Sequence, residues 1–123
     1  MEPIFLNDWA QNNWDDKKGL EALKSDFEIS DADLVDVEIL LASYTCEYYD
    51  GDAFVLFRKD GKYYEVNGSH CSCYGLEGQW EPEEANLKEL YHRITDGTWG
   101  EYRGNELTVK LKELLEKLTK GVE

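Results

Sequence analysis

The sequence predicts an α+β fold in which a three-stranded antiparallel β-meander packs against about three α-helices, in the order α-β-β-β-α-α. Three observations predict it. Residues 37–48, 53–59 and 62–67 are rich in β-branched, aromatic and other strand-forming side chains. Asp50-Gly51 and Asp60-Gly61 separate these runs, and Asp-Gly suits a two-residue type I′ hairpin because both central positions need φ > 0. Leucines then recur at spacings of three and four through the C-terminal third, the period of one helix face.

The N-terminal third reads as helical. Asp15 or Asp16 serves as N-cap, and Leu20, Leu23 and Phe27 fall on one face. Gly19 weakens such a helix by about 1 kcal/mol relative to Ala. Trp9 and Trp14 lie in a polar stretch and are read as rings docking over the core.

The two turns then fix strand register. Pairing outward from Asp60-Gly61 sets Phe57 opposite Tyr64 and Val55 opposite Val66. Pairing outward from Asp50-Gly51 sets Cys46 opposite Val55 and Tyr44 opposite Phe57. One face collects Leu40, Tyr44, Cys46, Val55, Phe57, Tyr64 and Val66, and is the expected core that the helices cover. The other carries Ser43, Thr45, Glu47, Arg58, Tyr63 and Glu65, with Phe54 and Leu56 as apolar exceptions.

A long irregular segment follows, residues 68–81. Pro82 then suits a first helical position, with Glu83 and Glu84 beside the positive helix end. The face of this helix is Leu87, Leu90, Tyr91 and Ile94, and Gly97 ends it. The last helix begins at Asn105 as N-cap and aligns Leu107, Leu111, Leu114, Leu115 and Leu118. Its polar side mixes Lys and Glu, so the stripe reads as core or as a homodimer seam rather than a membrane face.

Composition bounds the rest. A chain of 123 residues is the size of one domain, here taken as 1–123. With 41% hydrophobic residues, four Trp, eight Tyr and four Phe, it is no disordered acidic tail. The longest apolar run is residues 53–57, too short for a membrane helix. The first residues lack a basic region followed by an apolar stretch, so no signal peptide is expected. Three cysteines and no export signal predict reduced thiols and a cytoplasmic location.

The formal charge is −14 and it is unevenly placed. Residues 1–52 hold 14 acids against 3 lysines, residues 53–100 hold 8 against 5 bases, and residues 101–123 hold 5 of each. Nucleic acid and anionic membranes would both repel this chain, so neither is expected as a direct partner. A basic protein surface is the complement. The plainer explanation of the same bias is solubility or a halophilic or acid-rich proteome, although solubility alone could be secured with less charge.

The segment most able to carry chemistry is residues 68–82, Gly-Ser-His-Cys-Ser-Cys-Tyr-Gly-Leu-Glu-Gly-Gln-Trp-Glu-Pro. His70, Cys71 and Cys73 are candidate metal ligands, with Cys46 or His92 to complete four. Structural zinc uses ligand pairs spaced C-x₂₋₄-C or H-x₃₋₅-H, and C-x-C beside one His departs from that pattern. A nucleophilic cysteine is disfavoured too, because surrounding negative charge opposes thiolate formation. The glycines lack the spacing of a phosphate-binding loop. The segment is therefore read first as a packed loop, its cysteines small and hydrophobic, pinned to the sheet by Tyr74 and Trp80. No cofactor and no catalytic residue are assigned.

The string from His70 to Pro82, preceded by Tyr64-Glu65-Val66-Asn67-Gly68-Ser69, resembles a block in small phage and prophage proteins. The resemblance covers roughly residues 40–94 and names no activity. It implies a small accessory protein acting in the cytoplasm of a host cell, where such proteins disarm host defence or redirect host enzymes.

Joined to the charge, the resemblance gives a functional expectation. The chain is not an enzyme; it binds and inhibits a host nucleic-acid enzyme, as in anti-CRISPR or anti-restriction activity, with carboxylates standing in for phosphates. The acids expected to make contact are Asp8, Asp15, Asp16, Glu21, Asp26, Glu28, Asp31, Asp33, Asp36 and Glu38, densest across residues 26–38, which contain no base. The alternatives are a metal- or thiol-containing protein centred on residues 70–73, and an oligomeric phage component.

Overall fold

A computed structural model of the protein describes residues 3–7, 9, 19–47, 50–70, 75–96 and 105–119. Within them lie β1 (Ile4–Asn7), α1 (Leu20–Phe27), β2 (Glu38–Glu47), β3 (Asp50–Lys59), β4 (Lys62–His70), β5 (Glu83–Glu84), α2 (Leu87–Asp96) and α3 (Asn105–Thr119). A 3₁₀ turn, Asp31–Leu34, stands between α1 and β2. The strands form one mixed sheet in the order β1-β2-β3-β4-β5. The class is α+β, as the sequence predicts, but the sheet is wider than a three-stranded meander.

The β3–β4 hairpin follows its turn chemistry. Asp60 and Gly61 have φ of 54° and 80°, the left-handed values that type I′ requires. The ladder then pairs Phe57 with Tyr64 and Val55 with Val66, the expected register.

The β2–β3 register differs. Cys46 faces Gly51 and Tyr44 faces Ala53, four residues from the expected pairing, so the chain reverses between Glu47 and Asp50. The cause lies on the far side of β3. Gly51 and Asp52 also pair with His70 and Ser69 of β4, so Asp50-Gly51 is needed as strand in the sheet interior. A turn there would break two ladders at once. Because the slip is an even number of residues, Tyr44 stays on the Val55 face.

Both faces of the sheet are buried, which corrects the expectation of a single core face. Successive β3 residues point to opposite sides. Ala53, Val55 and Phe57 pack with Val66, Ala42, Leu23 and Phe27, under α1. Phe54 and Leu56, expected to be exceptions on a solvent face, join Leu90, Ile94, Leu111 and Leu115 under α2 and α3. A bulge between Ile39 and Leu41 shifts the β2 pattern, so Leu40 packs with the second group and not with Val55.

Three element boundaries also depart from expectation. Residues 4–7 are strand, not helix lead-in, and lie parallel to β2 with Ile4 opposite Leu41. A parallel pair needs a long crossover, and α1 supplies it, making β1-α1-β2 a crossover unit. The helix starts at Leu20 with Gly19 as N-cap, not at Asp15 or Asp16, and Leu20 is exposed while Ala22, Leu23 and Phe27 are buried.

Glu83 and Glu84 are strand, paired with Glu65 and Tyr64, instead of the first turn of a Pro82-led helix. Asn86 takes over as cap: its Oδ1 accepts from the backbone N–H groups of Lys88 (2.9 Å) and Glu89 (3.1 Å), so α2 begins at Leu87. On α3, Leu107, Leu111, Leu114 and Leu115 are buried in the chain's own core and Leu118 packs against it. The described residues contain no helix long and apolar enough to cross a membrane.

Candidate functional site

Residues 26–38 fold as the end of α1, the 3₁₀ turn and the start of β2, and their acids divide into two groups. Asp26 and Glu38 are tied into the fold. The indole N–H of Trp9, a fully buried ring, donates to Asp26 Oδ2 at 2.8 Å. Arg58 reaches Glu38 Oε1 with both Nε (3.0 Å) and Nη2 (2.7 Å) across the β2–β3 ladder.

The others face solvent. Glu28, Asp31, Asp33 and Asp36 are all exposed, as is Glu21 in the first turn of α1. Lys24 Nζ bridges Asp31 (2.7 Å) and Glu21 (3.5 Å). The Asp31 hydrogen bond holds the Lys24 ammonium above its ordinary pKa, so this lysine stays charged and neutralises part of the ridge. Asp33 Oδ2 accepts from the Ser30 backbone N–H at 3.0 Å, which fixes the entry to the 3₁₀ turn.

Glu28 and Asp36 make no side-chain hydrogen bond or ion pair among the described residues. Both have left-handed backbone, φ 56° and 62°. Glu28 closes α1 in a Schellman arrangement, its N–H donating to Ser25 O (3.3 Å) and the Ile29 N–H to Lys24 O (3.0 Å). Glycine is the default at that position, and a side chain with a Cβ costs about 1 kcal/mol there. An exposed glutamate without a partner thus occupies a place where the fold alone favours glycine. Asp8, Asp15 and Asp16 lie outside the described residues.

Beside this ridge is a pocket of about 310 Å³. Asp33 and Val37 line it from the acidic segment, Phe57 and Tyr64 from the sheet, and Asp60 with Lys59 from the hairpin turn. Trp80 and Pro82 close the remaining side. The aromatic wall is a three-ring stack. Phe57 lies 5.3 Å from Tyr64 at 20° and 5.8 Å from Trp80 at 14°, while Trp80 meets Phe27 edge-on at 5.2 Å. Phe57 is covered, and the half-buried Tyr64 and Trp80 are the ring surfaces open to a ligand.

The loop that delivers Trp80 is held by one side chain. Gln79 Oε1 accepts from the Ser69 N–H (2.8 Å), and its Nε2 donates to Ser69 O (2.7 Å) and Gly75 O (2.6 Å). Gly68 permits the approach, because a Cβ there would lie 3.0 Å from Leu76 Cδ2 and 3.3 Å from Gln79 Oε1. Leu76 is buried beneath. In its described part, therefore, the segment of residues 68–82 is a packed loop whose Trp80 joins the sheet. Cys71, Cys73 and Tyr74 lie outside the described residues, as does the side chain of His70; Cys46 is placed only as a β2 strand residue.

Among the described residues no group of three His, Cys, Asp or Glu side chains is arranged to hold a metal ion. A broader depression of about 500 Å³ runs along α2 past Lys88, Glu89, His92 and Arg93, a lining of mixed charge without an apolar residue among those described. Sequence reasoning missed the aromatic pocket. The Phe57–Tyr64 pairing was readable from the Asp60-Gly61 turn, but nothing local brings Trp80 onto Phe57. None of the family models, curated proteins or solved structures compared with the chain matches it.

Proposed function

We propose that this chain is a small acidic accessory protein of phage type. It binds a basic surface on a host nucleic-acid enzyme and inhibits the enzyme by covering the surface that nucleic acid uses. The reading rests on one observation: Glu28, Asp31, Asp33 and Asp36 stand exposed on a single short segment, beside a pocket with an aromatic wall. Carboxylates spaced along such a ridge complement a phosphate-binding surface, and the aromatic wall adds apolar contact area that charge alone does not provide.

Two further points support it. Glu28 stands where glycine would favour folding, which fits an acid placed for contact rather than for stability. The net charge of −14 exceeds what solubility requires of a domain this size. The phage-like block gives the company such a protein keeps, and the host cytoplasm is the expected place of action.

The test is capture of partners from a bacterial lysate on the immobilised chain, beside a variant carrying Asp31→Lys, Asp33→Lys and Asp36→Lys. A nucleic-acid enzyme held by the natural chain, inhibited by it and lost from the variant supports the proposal. Inhibition undiminished by the charge reversal overturns it.

A further inference from the structure

The pocket between the 3₁₀ turn and the β3–β4 hairpin has a chemistry more specific than the ridge beside it. We infer that it receives one arginine side chain of the protein partner, an inference that rests on the proposed function for the identity of that partner but not for the pocket's own affinity.

Three properties of the lining select a guanidinium. The first is its aromatic wall. Tyr64 and Trp80 flank Phe57 in near-parallel planes, 20° and 14° from it, and leave half-buried ring surface toward the cavity. A planar cation stacks on such surface, and arginine does so more often than lysine. The second is charge. Asp33 and Asp60 bring two carboxylates against the single ammonium of Lys59, within a chain of strongly negative total charge. Phosphate-bearing ligands are repelled by that field, whereas a cation is drawn in. The third is the geometry available for hydrogen bonding. Asp33 is oriented through Oδ2 by Ser30, and its Oδ1 accepts nothing among the described residues. Asp60 is exposed on a turn fixed by the β3–β4 ladder. A guanidinium has five N–H donors in a rigid plane, so it can stack on the rings while its edge donates to a carboxylate.

The volume agrees. About 310 Å³ is at the small end of ligand pockets, which suits a side chain better than a nucleotide. The pocket also explains why the loop over residues 75–82 is fastened so firmly. Gln79 makes three hydrogen bonds to backbone on either side of the segment that includes residues 70–74, and the residue after it is Trp80. A wall residue on a loosely held loop would not give a stack of fixed plane.

The experiment titrates the whole chain with N-acetyl-arginine amide and follows the Trp80 indole N–H by NMR, its signal assigned with Trp80→Phe. N-acetyl-citrulline amide serves as the neutral analogue of the same shape, and adenosine monophosphate as the stacking anion. The expected result is a saturable Trp80 shift with arginine, at a dissociation constant on the order of millimolar for so small a probe. Binding should weaken at least about tenfold for citrulline, the loss of roughly 1.4 kcal/mol. Asp60→Asn, a change that the left-handed turn tolerates, should weaken arginine binding severalfold with the fold intact. Absence of a saturable shift with arginine, equal binding of citrulline, or stronger binding of the nucleotide overturns the inference. No enzyme enters this titration. Arginine binding without any captured nucleic-acid enzyme would leave the pocket standing and remove the proposed function, and the reverse result would do the opposite.

Discussion

The side chain of Gln79 faces the backbone of Ser69 as another strand would, accepting from its N–H at 2.8 Å and donating to its C=O at 2.7 Å. The same amide donates to Gly75 O at 2.6 Å. One glutamine thus continues the edge of β4 and anchors the loop that carries Trp80. Gln79→Ala should cost about 1–3 kcal/mol in urea unfolding, since backbone groups at this site lose their partners with only partial replacement by water. Gln79→Glu keeps the acceptor but turns carboxylate toward two carbonyl oxygens, so it should destabilise at least as much. Near-UV circular dichroism should report loss of the ordered Trp80 environment in both variants.

A second contact ties the sheet to α2. Glu65 is only 7% exposed, and its carboxylate receives Arg93 Nη1 at 2.9 Å and Nη2 at 3.3 Å, with Asn67 Nδ2 at 2.8 Å. The hydrogen bond to Glu65 raises the Arg93 pKa further, so the guanidinium stays charged. Arg93→Ala leaves a buried carboxylate with one amide partner and should destabilise by about 2–4 kcal/mol. Replacing both partners, Glu65→Leu with Arg93→Leu, should recover most of that loss, because the uncompensated charge goes with its partner. Chemical denaturation of the three proteins checks the pattern.

The strain at Glu28 separates stability from binding. Glu28→Gly should raise stability by about 1 kcal/mol, because glycine meets no Cβ penalty in the left-handed cap. Glu28→Gln keeps the strain and removes the charge, so it should leave the unfolding midpoint nearly unchanged. Both should weaken the partner complex. A stabilised Glu28→Gly variant that binds as tightly as the natural chain would show that Glu28 has no part in the interface.

Much of this arrangement was legible in the residues, and the exceptions share a physical cause. The Asp60-Gly61 turn could be read because its two positive-φ positions and its flanking strands are all local. The same dipeptide at Asp50-Gly51 misleads because β4 pairs with Gly51 from the other side, a contact no local pattern records. Ile4–Asn7 is missed as a strand for a related reason: parallel pairing with β2 leaves no turn in the sequence. The helix after residue 82 starts late because Asn86 caps it while Glu83 and Glu84 extend the sheet edge.

The acidic segment follows the same rule. Its density was plain from composition, but Asp26 is taken by Trp9, 17 residues earlier, and Glu38 by Arg58, 20 residues later. Only the fold shows which carboxylates remain outward. Sequence likewise placed Trp80 in a packed loop, without revealing that its ring would lie parallel to Phe57 beside Asp33 and Asp60.

The most direct test of the central claim is competition on the captured partner. The dissociation constant of the chain for that enzyme should be measured across a series of salt concentrations, with and without the enzyme's own nucleic acid. The account predicts that affinity falls steeply and linearly on a log–log plot against salt, that nucleic acid displaces the chain, and that Asp31→Lys, Asp33→Lys and Asp36→Lys together abolish binding. A complex indifferent to salt, formed equally well on the nucleic-acid-bound enzyme and by the charge-reversed chain, would contradict it.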